Sequence, residues 1–396
     1  MTHSRLPRAR GFTLIELMVG LALGMLILLA LVMLFANMSR SNSEMSRTAA
    51  LVENGRFSLQ VLESDLSHGG YWGSWIPGYE DLSLTGAPTD APATTTDNTV
   101  PDPCLAYASW TAAYRSKLIG IPVQVYEIPT SGTPPVCGGV VTNAIPAKTD
   151  IRNHMIVVRH AAPCEAVAGA TDSDCRAAVA QEYFQVGRCG STASVSYTFG
   201  QSANAALTNF TEQNRDCATA APAYRYISNI YYVRNYAVTV GDGIPTLVRS
   251  SFTGTAHASA QALVEGVEAM RIELGTDNVS KSGAALTPAS FSAAVAWQDP
   301  SRQVTPTNRG DGNPDQFIDC TTATPCTAFD QMNTITVRLY VLVRAPTPTP
   351  GYTSDRTYSL GTQTLGPYSD GYKRHVYTRT IRLHNVAMRR EVPPGT

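Results

Sequence analysis

The sequence predicts an α+β protein, in which one long N-terminal α-helix packs on an antiparallel β-sheet globular domain enlarged by loop insertions. Three observations carry this. Phe12–Phe35 is a run of 24 residues that is apolar apart from Thr13 and Glu16. No proline occurs between Phe12 and Leu66. From Leu118 onward, short runs rich in β-branched and aromatic residues alternate with Gly, Pro and Asp turns, the pattern of antiparallel strands.

As a helix the apolar run would reach roughly 36 Å, enough to cross the hydrocarbon core of a bilayer. Before it lies a leader, Met1–Gly11, with Arg5, Arg8 and Arg10 and no acid. An ordinary secretory signal has a shorter apolar region followed by its small-residue cleavage site. Here the small residue, Gly11, comes first, so a cut after it would leave the helix on the mature chain. Three arginines precede the span, against Arg40 and Arg47 with Glu44 behind it, which favours a cytoplasmic N-terminus. An ionised Glu16 inside a bilayer would cost about 3 kcal/mol and therefore calls for a partner. The bland alternative puts it at the headgroup boundary, one turn into the helix. Gly20 and Gly24 form a GxxxG pair that permits close helix contact, although glycines are common in membrane helices.

Beyond the span, Met38, Met45, Ala49, Val52, Leu59, Leu62 and Leu66 recur at helical spacing, which extends the helix to about Ser67. Gly55 costs about 1 kcal/mol relative to Ala without breaking it, and His68-Gly69-Gly70 is a stop signal. The chain then divides into a leader (1–11), a span (12–35), an exported helical continuation (36–68) and a β-rich globular part (69–396). No long linker separates the later strands, which argues for one merged domain. Charged residues make up only 15 %, below the roughly 25 % of average chains, as in loop-rich exported proteins. At a net charge of −1 nothing predicts the basic face that nucleic-acid binding needs, so no nucleic-acid partner is expected, and an individual basic patch stays open.

All eight cysteines (Cys104, Cys137, Cys164, Cys175, Cys189, Cys217, Cys320, Cys326) follow the span. An even count on the exported side reads as disulfides. Zinc is the competing reading, but no CxxC or HExxH spacing occurs. Of roughly a hundred pairings, joining sequence neighbours (104–137, 164–175, 189–217, 320–326) favours the shortest loops.

Thr85–Pro103 is a low-complexity loop. Leu118–Ile128 reads as a strand that Pro122 confines to an edge or bulge, followed by a loop at Thr130–Gly139. Further strands are expected at Asp150–Ala161, Tyr183–Cys189, Tyr224–Arg234, Ile335–Arg344 and His375–Met388. Tyr236–Val240 and Thr246–Phe252 flank Gly241-Asp242-Gly243 as a hairpin, and Gln261–Glu273 reads as a short helix leading into a strand. Asp311, Asn313 and Asp315, with Asp319 beyond, resemble the opening of a calcium loop. Gln316 stands where a glycine is needed, however, and Thr322 where a glutamate is needed, so a plain turn is the stronger reading. No other cofactor is expected. No GxSxG, P-loop or GxGxxG occurs. His154, His160, His375 and His384 lie in strand patterns as structural or surface residues. Tyr226, Tyr231, Tyr232 and Tyr236 read as packing residues, and nothing points to an enzyme.

The stretch RGFTLIELMVGLALG resembles the class III signal of type IV pilins and of type II secretion pseudopilins. The resemblance implies cleavage by a prepilin peptidase between Gly11 and Phe12, methylation of Phe12, and an assembly role for Glu16, which pairs with the amino terminus of Phe12 in its own or a neighbouring chain. ENGRFSLQVLESDLSHGGYWG is similar to the helix end of PilW-type minor pilins. The segments VVR, IYYV, LVEGVE, VRLYVLVR and YTRTIRLHN resemble that family in the same order. No proline interrupts the apolar helix, as one often does in major pilins. The family implies a pilin-like fold and a role in initiating pilus assembly within a tip or priming complex. Its partners would be other minor pilins, the major pilin, the prepilin peptidase and the inner-membrane assembly platform, with membrane lipid before assembly. The globular part would be periplasmic until it reaches the fibre. A secretion pseudopilin, or a tip subunit for adhesion or DNA uptake, are the alternatives.

Overall fold

The computed structural model describes residues 11–73, 99–145, 152–189, 197–288, 290, 296–299 and 304–387. The leader before Gly11, most of the 85–103 loop, residues 150–151 and Met388 lie outside them. Two compact units divide the chain, Met1–Ala50 and Leu51–Thr396. Helix α1 spans Leu14–His68. It ends where Gly70 takes a φ of +76°, a left-handed geometry that glycine adopts without cost. The amide of Tyr71 closes the last turn on the His68 carbonyl at 2.8 Å.

In the first unit α1 presents its apolar residues outward, with a mean hydropathy of 2.9 over its most apolar window. Among the described residues it is the helix long and apolar enough to cross a membrane. In the second unit its buried stripe is Leu51, Gly55, Ser58, Leu62 and Leu66. Periodicity marked Leu62 and Leu66 of this stripe, but also Val52 and Leu59. Val52 is exposed, and Leu59 only flanks the core. The face turns because the Tyr377 ring lies against Gly55 and its hydroxyl donates to the Leu51 carbonyl at 3.2 Å. Ser58 is tolerated inside because its hydroxyl bonds the Gly55 carbonyl at 2.8 Å.

The first sheet is antiparallel and contains β1 (Val123–Glu127), β2 (His154–Glu165), β3 (Glu182–Val186), β4 (Tyr197–Gln201), β5 (Ala223–Arg234), β6 (Thr246–Ser251) and β7 (Gln261–Glu265). The twelve-residue β5 organises it. One edge of β5 pairs β2, and the other pairs β3 near its start and β6 near its end. The second sheet has the order β11 (Gln316–Asp319), β8 (Val267–Thr276), β12 (Thr334–Arg344) and β15 (Arg374–Arg382). Two small hairpins complete the strands: β9 (Trp297–Asp299) with β10 (Val304–Pro306), and β13 (Tyr358–Leu360) with β14 (Gln363–Leu365). The largest core joins Leu62 and Leu66 of α1 to Val123, Ile156 and Tyr231 of the first sheet and to Ile272, Val337 and Leu339 of the second. Each fully buried leucine contributes about 2–3 kcal/mol.

Several expectations change. Leu118–Ile121 is not a strand. Helix α2 spans Ala112–Gly120, because the Thr111 hydroxyl accepts from the Tyr114 amide and starts a helix. Pro122 then precedes the edge strand β1. Tyr236–Val240 forms the loop of the β5–β6 hairpin, not an arm. There the Asp242 carboxylate accepts the amides of Ala237, Val238, Thr239 and Ile244 at 2.9–3.1 Å. Those four hydrogen bonds hold the carboxyl down at about 2. Gln261–Glu273 contains no helix, because the chain turns at Gly266 (φ +82°) from β7 of the first sheet into β8 of the second. A Cβ there would lie 2.7 Å from the Arg344 carbonyl oxygen. His384 lies in a short helix, α4 (His384–Ala387), rather than on a strand; α3 is Ala328–Met332.

Candidate functional site

In the first unit, Gly11, Phe12 and Thr13 precede the helix in non-helical backbone. Nothing lies within 4 Å of where a Gly11 Cβ would be, and Phe12 is exposed. The Gly11–Phe12 bond is therefore open to a protease, which binds substrate as extended chain. Thr13 and Glu16 then close a capping box. The Thr13 hydroxyl accepts the Glu16 amide at 3.3 Å, and Glu16 Oε2 accepts the Thr13 amide at 3.4 Å. Glu16 thus fixes where the helix starts, two residues beyond the junction. Phe12, Glu16, Gly20 and Gly24 follow one another at four-residue steps and line one shallow groove on the helix.

In the second unit the end of α1 carries a polar cluster that the sequence reading missed. His160 Nε2 lies 2.9 Å from Asp65 Oδ1, and its Nδ1 lies 2.8 Å from the Ala161 carbonyl. Both neighbours only accept, so both ring nitrogens carry protons and His160 is an imidazolium. The Asn229 amide adds bonds to Asp65 at 3.1 and 3.2 Å. Burial opposes both charges, but the pair overcomes it: His160 is raised above its ordinary value and Asp65 is held below its own. Asp65 falls between Ser64 and Leu66 in a helical run, where an acid ordinarily signals a solvated face. Only its distant partner marks it.

His154 behaves in the opposite way. Burial and the neighbouring Arg271 guanidinium push it well down. Its Nδ1 accepts the Ile272 amide at 3.1 Å, and Asp319, 3.5 Å from Nε2, is already paired with Arg271. His154 is therefore neutral despite the nearby carboxylate.

The disulfides join Cys104–Cys137, Cys164–Cys175, Cys189–Cys217 and Cys320–Cys326, each to its sequence neighbour. Among the described residues, Asp102, Cys104 and Cys137 gather as metal ligands would. Both sulfurs belong to one disulfide, which removes them as ligands. In the 311–315 loop the acids bind backbone. Asp311 Oδ1 accepts the Asn313 amide at 2.9 Å, and Asp315 Oδ2 accepts the amides of Asn278 and Val279 at 2.7 Å. Asp319 is turned to Arg271 and Thr362.

A glycine–phenylalanine junction ahead of a capped apolar helix, followed by a disulfide-linked antiparallel domain, is a pilin-like arrangement. Residues 6–32 match the prokaryotic N-terminal methylation motif, and residues 230–385, from β5 through α4, match the family described as Type IV Pilus-assembly protein W. Over those strands the chain resembles the PilW family of minor pilins, and at its N-terminus it carries the methylation motif. Among solved structures, a type IV-like pilin from Thermus thermophilus is similar at 10 % identity, covering 67 % of this chain and 84 % of that one with a TM-score of 0.26. A comparison with curated proteins finds no match.

Proposed function

We propose that this chain is a minor pilin that initiates type IV pilus assembly in a priming or tip complex with other minor pilins and the major pilin. It is stored in the inner membrane through Phe12–Phe35, with its N-terminus cytoplasmic and the β-rich part periplasmic, until the assembly platform takes it up. The observation that carries this is the exposed Gly11–Phe12 junction directly before a capped apolar helix, on a chain whose later strands match the PilW family. A prepilin peptidase cuts the junction, and the new amino terminus of Phe12 is methylated. Its positive charge then pairs with Glu16 of its own or a neighbouring chain, offsetting the burial of both and setting subunit register. The fold serves packing and display, and no group in it is given a catalytic role.

The test begins with the N-terminal mass of the chain from cells with and without prepilin peptidase. A chain starting at methylated Phe12 only when the peptidase is present is expected; a retained leader in both strains would sink the reading. A strain lacking this chain is expected to lose its pili. Normal pili with lost secretion of exoenzymes would point to a secretion pseudopilin. Normal pili with lost adhesion or transformation would point to a tip-binding role.

A further inference from the structure

A cleft of about 390 Å³ opens in the second unit beside the Asp65–His160 pair. One wall is the helix face of Phe57, Val61 and His68, and the floor comes from Tyr231 and Arg249, directly opposite each other on β5 and β6. Asp65 is the carboxylate at its base, and it serves two cations: His160 by direct contact, and Arg249 by way of the Tyr231 hydroxyl that lies between them. The other acid of the cleft, Asp174, is paired with Arg225 at 3.3 Å. One committed carboxylate therefore faces an imidazolium and a guanidinium, and the cleft carries excess positive charge. Arg249 Nε is buried there without a hydrogen-bond partner, which is costly for a group built to donate. At the mouth Phe57 is 48 % exposed, an aromatic surface beside the charge.

Guanidinium donors in a half-enclosed cleft match the planar carboxylate of a side chain, and an adjacent aromatic matches an apolar neighbour of that side chain. We propose that this cleft docks an acidic segment of another protein subunit, with one Asp or Glu carboxylate against Arg249 and an apolar side chain against Phe57. The proposal rests on the reading that the chain assembles with other subunits, and it names the surface and chemistry of one such contact.

The full chain, with photo-reactive benzoylphenylalanine in place of Phe57, is cross-linked in piliated cells and the attached peptide is sequenced. The expected adduct is a protein segment with an Asp or Glu within two or three residues of the attachment point. Arg249→Gln should lower its yield about tenfold, as loss of a charge-assisted contact does. Arg249→Glu combined with Lys at the partner's acid should restore it, which rules out misfolding as the cause. Adducts to lipid or nucleic acid, a segment without an acid, or an unchanged yield in Arg249→Gln would each overturn the cleft as a docking site. If deletion of the chain still abolishes pili, such a failure leaves the assembly role standing. Pili that persist on deletion strike the assembly role itself.

Discussion

Asp65 and His160 lie 95 residues apart and form one buried ion pair, so each sets the other's protonation. His160 is raised above 6.5, so its stabilisation is complete below pH 6.5 and is lost as pH rises through the higher folded value. Asp65 is lowered below 3.8, so its share is complete above pH 3.8 and is lost as pH falls through the lower folded value. Denaturant melts of wild type and His160→Gln should therefore differ most below pH 6.5 and converge as pH rises through the folded value of His160. The difference between them isolates His160 from Glu182, whose carboxyl burial pushes up to about 8. Removing one member leaves the other charge buried and alone, so Asp65→Asn should cost about 3 kcal/mol at pH 6. His257 has the reverse sign. Burial lowers it to about 4, so the unfolded chain takes up its proton first and stability falls as pH drops from 6.5 to 4. His257→Asn should flatten that acid limb, and an unchanged slope would contradict the assignment.

At the scale of the element, Gly55 makes a test of helix against sheet. In an isolated helix, Gly→Ala gains about 1 kcal/mol. Here an added Cβ would come within 2.0 Å of the Tyr377 ring, whose hydroxyl is tied to the Leu51 carbonyl. Packing should win, with Gly55→Ala losing about 1–3 kcal/mol in thermal or chemical melts. Gly55→Ala with Tyr377→Leu should recover part of that loss, since the clash is with the ring. In the first unit, the Thr13–Glu16 capping box predicts that Glu16→Leu frays the first turn by about 1 kcal/mol. Circular dichroism of a peptide covering 11–35 in micelles would show the lost turn. If Glu16 also pairs with the mature amino terminus, Glu16→Leu should still be cut after Gly11 yet fail to support pili.

Over the whole molecule, the disulfides differ in what they hold. In the chain-entropy account a longer loop gains more, so losing Cys104–Cys137, with a separation of 33, should cost about 4 kcal/mol. Losing Cys320–Cys326, with a separation of 6, should cost about 2 kcal/mol. Paired serine substitutions and melting of the full chain in detergent would show whether that order holds. Much of the fold was legible from local pattern. The apolar run, the glycine stop at Gly70 and the strands around Met155–Val158, Tyr226–Val233 and Val337–Val343 follow from side-chain periodicity, which each segment carries by itself. What was misread depended on neighbours. Leu118–Ile121 alternates like a strand but starts behind a threonine cap, and Gln261–Glu273 has helical residues divided by a glycine pressed against Arg344.

The sequence by itself determined that a glycine–phenylalanine junction stands ahead of a membrane-length helix, followed by a cysteine-bearing part and a succession of strands, because those signals are local. Only the tertiary structure decided which face of α1 is buried, that β5 pairs on both edges, that the acids of the 311–315 loop serve backbone amides, and that Asp65 holds a charged His160. Each of those outcomes is set by groups far apart in the chain, up to 326 residues for Tyr377 and Leu51. Such contacts have no periodicity to read, since they exist only once two sheets and a helix close around one core.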